Sequence, residues 1–314
     1  MKLDMPAAVT GGILLVLAAL PLVAQLAGAP YMLDIAVRIM ILGMAAVSLD
    51  LVLGYGGLVS FGHAGYVGAG AFAVGILSHH GVDNGFAHLA AAIASAAVLS
   101  LLIGMVCLRT AGLHFIIITL GFGQMIYFLA TSVDVYGGED GMNIAGPSNF
   151  GRLLDLGHGP TLYYVVFLSL AGVLLFLGRA VRSRYGMVLR ASRMNDRRLA
   201  SIGVNVFRYR LAGFVISGTI CGLAGFLLAN QSLFVSPAIM HWTRSSELMI
   251  MVILGGMGTL VGPLFGAIAL LLLESGLSRF TDHWQLLLGI VLLVAILFAR
   301  RGIFGALVGR GAGS

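Results

Sequence analysis

The sequence predicts an all-α polytopic membrane protein of about ten transmembrane segments with both termini cytoplasmic, forming one transmembrane domain over residues 1–314. Three observations predict it. Apolar residues make up 59% of the chain and charged residues only 10%, against about 25% charged in soluble domains. Mean hydropathy is +1.03, which suits a lipid solvent and would leave a water-soluble protein with most of its apolar side chains exposed. Apolar runs reach the roughly 17–25 residues that a bilayer requires of a helix.

Taken in order, the predicted spans lie near 8–28, 33–53, 58–78, 87–107, 113–131, 161–178, 211–230, 245–258, 260–275 and 283–299. The first run, after Lys2 and before Ala27-Gly28-Ala29, imitates a secretory signal. It exceeds the roughly 7–15 residues of a signal core, so an uncleaved first span is favoured. The pair at 245–258 and 260–275 is short, and Gly255-Gly256-Met257-Gly258 separates its halves. Two tilted spans and a re-entrant pair lining a cavity both fit, since irregular backbone at membrane depth must be sheltered from lipid.

Basic residues orient the spans. Nine of the eighteen Lys and Arg residues fall between Arg179 and Arg210, with Asp196 as the one acid among them, which marks that segment as cytoplasmic. Arg300, Arg301 and Arg310 put the C-terminus on the same side, and Lys2 and Arg109 agree with it. The loop from Ser132 to Pro160 carries Asp134, Glu139, Asp140 and Asp155 against Arg152 and falls outside.

The arginine-rich segment, about 180–208, is the one substantial cytoplasmic feature. Val188, Leu189, Met194, Leu199 and Ile202 recur at loosely helical spacing, and Gly203 stands where a helix would stop. A short amphipathic helix followed by a glycine turn is expected. A basic anchor on anionic lipid is one reading. Docking of a cytosolic partner is the other, favoured by the length of the loop and its patterned apolar positions.

Two glycine-rich segments stand apart: Leu53-Gly-Tyr-Gly-Gly-Leu-Val-Ser-Phe-Gly-His-Ala-Gly-Tyr-Val-Gly-Ala-Gly-Ala71 and Ile253-Leu-Gly-Gly-Met-Gly-Thr-Leu-Val-Gly-Pro-Leu-Phe-Gly-Ala267. Their shared Gly-x-x-Gly core, with Ser60 or Thr259 nearby, is compatible with an internal repeat. Close helix packing explains much of the glycine. It does not explain Ser60 and His63 among the glycines; at membrane depth these serve either a structural hydrogen bond or a solute path. Of the other ionisable groups in apolar segments, Arg38 and Glu274 fall near span ends, whereas Asp50 and Glu247 lie deeper. An ion-coupled carrier would be expected to bury more acids.

No catalytic constellation, phosphate-binding loop or cofactor motif is present. Cys107 and Cys221 read as small core residues, and His79, His80 and His88 are too sparse for a metal site. The basic residues are not interleaved with stacking aromatics, which argues against nucleic acid.

The stretch Leu53–Gly65 resembles the signature of the LivM-type branched-chain amino-acid ABC transporter permeases. So do Arg184-Tyr-Gly-Met-Val-Leu-Arg-Ala-Ser-Arg-Met-Asn-Asp, Ala200–Val204, Phe234-Val-Ser-Pro237 and the run from Glu247 to Pro263, in order across about 35–300. The resemblance implies a permease of the bacterial inner membrane without an ATPase site of its own. Its implied partners are a second, LivH-type permease, two cytosolic ATP-binding subunits and a periplasmic substrate-binding protein. It further implies coupling through Gly186, Arg190, Arg193, Asn195, Asp196, Ala200 and Gly203. The pathway would then involve Ser60, Gly62, His63, Glu247, Gly255, Gly256 and Gly258. The chain departs from the family at Met194-Asn-Asp-Arg-Arg198, where acidic residues commonly flank the Asn. Substrate stays open among branched-chain amino acids, urea or short amides, and other small carboxylates. A stand-alone secondary carrier or channel is the alternative class.

Overall fold

The computed structural model describes residues 5–26, 31–151, 154–157, 159–278, 280, 283–298 and 302–308. Lys2, Ala27-Gly28-Ala29, Arg152, Arg300, Arg301 and Arg310, which entered the expectations above, lie outside the described residues. Helices run in the order α1 Met5–Leu26, α2 Tyr31–Asp50, α3 His63–His79, α4 Gly85–Cys107, α5 Leu113–Thr131, α6 Gly159–Arg182 and α7 Arg184–Met194. They continue as α8 Asp196–Ser201, α9 Val206–Ser232, α10 Trp242–Gly255, α11 Gly262–Leu277, α12 Trp284–Phe298 and α13 Gly302–Val308. A π-helical turn, Leu51–Tyr55, extends α2. Two-residue strands β1 (Met142–Asn143) and β2 (Phe234–Val235) pair antiparallel.

Five helices are long and apolar enough to cross a membrane, at Tyr31–Tyr55, Gly85–Cys107, Leu113–Thr131, Gly159–Arg182 and Val206–Ser232; shorter apolar helices cover Thr10–Leu22 and Gly262–Leu277. Most expected spans lie within a few residues of these elements. The largest offsets, five residues each, are at the seventh, expected from 211 and starting at Val206, and the third, expected from 58 and starting at His63. Ser60 turns its hydroxyl to the Gly62 amide and the His63 ring, and such local side-chain bonding competes with a helical ladder.

The bundle is built around α2, whose apolar window is 83% buried against 17% for α5. Helices α6, α9, α10 and α11 pack on α2, while α3 and α4 pack on α9. The outward faces of α4 and α5 are apolar, with Leu102, Val106, Ile117, Met125 and Leu129 exposed, as lipid contact requires. Helix α11 runs antiparallel to α2: its start meets Gly43 through Leu264 and Ala267, and its end shares a cavity wall with Ile35 and Arg38. The α10–α11 hairpin therefore runs alongside most of α2, over roughly 24 Å at 1.5 Å per residue.

One end of the bundle is closed by interlocked loops. His88 Nε2 donates to Val82 O at 2.6 Å, which leaves Nδ1 to accept from the Ser148 hydroxyl at 2.7 Å. The Ser148 amide in turn bonds Asn230 Oδ1 on α9. The acidic loop containing Asp134, Glu139 and Asp140 lies at this end, and α6 carries the chain from there to the arginine-rich segment.

Candidate functional site

Helix α3 begins inside the bundle, so its first amides need partners other than water. The Ala64 amide donates to Ser245 Oγ of α10 at 3.0 Å, and the Phe61 amide to Thr119 Oγ1 of α5 at 3.3 Å. His63 is fully buried, with Tyr66 and Phe214 edge-on around it. Ser217 Oγ spends its proton on Ser48 O at 2.7 Å, so it must accept from His63 Nε2–H at 3.0 Å. The imidazole is thus the neutral Nε2–H tautomer, and Nδ1 accepts from Ser60 Oγ–H at 3.0 Å. Ser60, Gly62 and His63 are brought together here, in a buried and hydrogen-bonded site.

Gly255, Gly256 and Gly258 gather elsewhere, where α10 turns into α11. Gly256 and Gly258 take φ of 121° and 74°, left-handed values that glycine adopts without strain. The Gly258 amide donates to Asp50 Oδ1 at 2.8 Å. Asp50 is 1% exposed, and its Oδ2 has no hydrogen-bond partner.

Glu247 belongs to a third place. It lines a cavity of about 480 Å³ between α2, α3, α9 and α10, together with Asp34, Arg38, Arg244 and Gln231. One turn along the same helices the lining is apolar, with Leu42 beyond Arg38 on α2 and Met251 beyond Glu247 on α10, and Val67 of α3 beside them. Arg244 Nη1 donates to Glu247 Oε2 at 2.7 Å. Arg38 also borders a smaller cavity of about 240 Å³ beside Glu274. A lining that passes from charges of both signs to apolar side chains can receive a small solute that is polar at one end and apolar at the other.

The arginine-rich segment folds as two helices rather than one. The chain is extended at Asn195, whose side chain caps α8 by accepting the Arg198 amide at 3.1 Å. Gly186 packs against the Val181 carbonyl at the α6–α7 corner, and Arg190 holds that corner through Val181 O and Gly186 O. Arg193 is exposed along its length, but its Nη1 donates to the carbonyl of buried Gly54 in the π-turn. Asp196 pairs with Arg210 at 2.7 Å, tying α8 to α9. Tyr185 stacks on Tyr209 and donates to its carbonyl; burial pushes the Tyr185 phenol above its ordinary range. Ala200 and Gly203 are exposed, in a surface that also presents Met194 (89%), Arg197, Arg198 and Ile202 (71%).

Sequence reasoning missed the partners more than the principals. Ser217, Ser245 and Thr119 are hydroxyls set in apolar runs, and that was the available signal. Arg38 was visible only as an ionisable group near a span end, and Arg244 and Gln231 gave no signal, because nothing in the chain order brings α2, α9 and α10 together at that level.

Residues 31–297, which contain every candidate site residue named above, match the family described as "Branched-chain amino acid transport system / permease component". The chain is 28% identical over 293 residues to the high-affinity branched-chain amino acid transport system permease protein LivM of Escherichia coli K12, covering 86% of this chain and 69% of that protein. The probable LivM permease of Methanocaldococcus jannaschii is 24% identical over 284 residues, or 79% of this chain and 81% of that one. The fructose import permease protein FrcC of Rhizobium meliloti is 30% identical over 195 residues, 57% of this chain and 53% of FrcC. No solved structure matches the chain.

Proposed function

The chain belongs to the branched-chain amino acid transport system permease family, and on that premise we propose that it is the pathway-forming subunit of an ABC importer for branched-chain amino acids or related small polar solutes. It works beside a second, LivH-type permease in the bacterial inner membrane. Two cytosolic ATP-binding subunits drive it, and a periplasmic binding protein delivers the solute. The chain carries no ATPase chemistry; hydrolysis occurs on the separate subunits.

The observation that carries this reading is the α7–α8 pair. It presents basic and apolar side chains outward while Arg193 reaches back into the bundle. A lipid anchor has no need of that inward bond, whereas a docking element must hand motion to the spans. The antiparallel run of α11 along α2 supports ten crossings, with both termini and the α7–α8 pair in the cytoplasm. In this reading the cavity at Glu247 is the outer part of the path, open to the side from which the binding protein delivers. Ser60, Gly62 and His63 brace its wall, and Gly255, Gly256 and Gly258 form the joint on which the α10–α11 hairpin moves. Gly186 and Arg190 keep the coupling corner, Asn195 and Asp196 fix α8, and Ala200 and Gly203 meet the ATPase.

The test is affinity purification of the tagged chain from its native membrane in mild detergent, beside Arg197→Glu and Ile202→Glu. Both positions are exposed, so neither change disturbs the bundle. Recovery of an ATP-binding subunit and a second permease, with the ATPase lost in both variants, is expected. A chain recovered alone, with uptake driven by an ion gradient in liposomes, refutes the proposal.

A further inference from the structure

Asp50 has no place in the coupling or pathway sets above, yet its surroundings demand an explanation. A carboxylate 1% exposed, with one oxygen bonded to the Gly258 amide and the other unpartnered, is a costly arrangement in a bundle core. Its neighbours are equally particular. Directly after Asp50 the helix widens into the π-turn Leu51–Tyr55, a local feature that often marks functional positions. The π-turn's Gly54 carbonyl accepts from Arg193, a residue of the cytoplasmic helix α7.

Three parts of the molecule therefore meet at one point. A Cβ placed on Gly54 would strike both the Asp50 carboxylate and the Gly258 amide, so these groups are in direct contact with the backbone that Arg193 holds. Leu189 of α7 lies against Gly56, and the stem of Arg193 lies against Gly57, so α7 is seated along the whole end of α2. On the far side Gly258 leads into the hairpin that carries Glu247 and Met251 to the cavity.

We propose that Asp50 is the positioning residue through which motion of α7 reaches the α10–α11 hairpin, with Arg193 as its partner. Arg193 has two acceptors one helical turn apart: Gly54 O, occupied here, and Asp50 Oδ2, empty here. When the ATPase subunits move α7, the guanidinium passes from the first to the second. That transfer releases the π-turn's hold on Gly54 and draws on the carboxylate that fixes Gly258. The link is a chain of contacts with two discrete arrangements, the physical requirement for coupling between distant sites. It rests on the reading of α7 as the ATPase-facing element.

The experiment uses the whole complex, with both permeases, the ATP-binding subunits and the binding protein, in proteoliposomes. Solute taken up and ATP hydrolysed are measured together for wild type, Asp50→Asn, Arg193→Ala and the double variant. Asn keeps the shape and the acceptor for Gly258 but lacks the charge that attracts Arg193. ATP consumed per solute moved is expected to rise about tenfold in each single variant, the size of an ordinary coupling free energy. The double variant should be no worse than the poorer single one, because both interrupt one step. Arg193→Lys, which keeps the charge, should recover part of the ratio. A merely structural role lowers uptake and hydrolysis together and leaves their ratio unchanged, and that result overturns the inference, as do penalties that multiply in the double variant. Should Asp50→Asn fail to assemble, Arg193→Ala on the partly exposed helix carries the same test. Absence of ATP-driven uptake in the wild-type complex defeats instead the functional reading on which the inference stands.

Discussion

Gly70→Ala adds one methyl group at the crossing of α3 and α9. The new Cβ would sit 2.8 Å from Gly222 Cα and 2.9 Å from its carbonyl carbon, with the carbonyl oxygen closer still. Ordinary contact begins near 3.4 Å, and the obstructing atoms are backbone, so no rotamer change relieves them. The two helices must part locally by roughly 1 Å. Overpacking of this kind costs about 1–3 kcal/mol, against which alanine returns at most about 1 kcal/mol of helix propensity. The strain also reaches the histidine site, since α3 begins at His63 and α9 carries Ser217 five residues before Gly222. Gly121→Ala is the control: nothing lies within 4 Å of its added methyl group, so only the propensity gain remains. Cys107 and Cys221 are free and buried, so a thiol-reactive fluorophore reports unfolding of the purified protein in detergent. The apparent midpoint should fall by several degrees for Gly70→Ala, at roughly 2–4 °C per kcal/mol, and hold or rise for Gly121→Ala. Equal midpoints for the two variants would refute the claim that glycine sets the α3–α9 distance.

His63→Ala should cost about 3–5 kcal/mol, because it empties a fully enclosed ring site and strands the Ser60 hydroxyl; the same fluorophore assay reads it, and a midpoint like wild type would show the network to be idle. Glu247→Gln breaks an exposed ion pair worth about 0–1 kcal/mol, so melting should hold while reconstituted uptake falls; unchanged uptake would remove the cavity from the path. Asn195→Ala removes the cap of α8 at about 0.5–2 kcal/mol, and hydrogen exchange over 196–201 should quicken while α7 stays protected. Tyr185→Phe loses one hydrogen bond to Tyr209, worth about 0.5–1.5 kcal/mol, and should lower the midpoint slightly without changing ATP consumed per solute moved.

Span existence was legible because lipid imposes a one-dimensional rule: enough consecutive apolar residues make a helix. Helix α5 begins and ends at 113 and 131 as expected for that reason. The start of α3 was not legible, since Ser60 and Gly62 read as part of an apolar run until a side chain three residues on claims the serine hydroxyl. Likewise the single expected cytoplasmic helix divides at Asn195, because one capping bond favours a new start over continuation. Of the candidate residues, Glu247 lines the 480 Å³ cavity, while His63 is buried in hydrogen bonds to Ser60 and Ser217. Composition marks such residues as unusual for a membrane helix, but it does not distinguish lining a path from framing one. Arg193 shows the same limit in reverse: among nine arginines of one loop, chain order gives no sign that this one bonds the π-turn.

The two glycine-rich motifs differ in the bonds that hold them. Around the first, hydroxyls from α5, α9 and α10 bond the segment Phe61–Ala64, and His63 has both nitrogens engaged. Displacing that segment would break several buried bonds at once, each left without water to replace it. The second motif is bound to α2 by the Gly258–Asp50 bond, at a turn whose glycines tolerate wide changes of backbone angle. A frame and a joint thus lie on either side of Asp50. The cavity is bounded by both, with Ala64 and Val67 from the frame and Glu247, Leu248 and Met251 from the helix that hangs on the joint. The Ala64–Ser245 bond also ties the frame to α10, so a displacement of α10 against α3 would have to break it. In the proposed cycle the displacement would start at the joint, because α7 is seated beside it through Leu189 and Arg193.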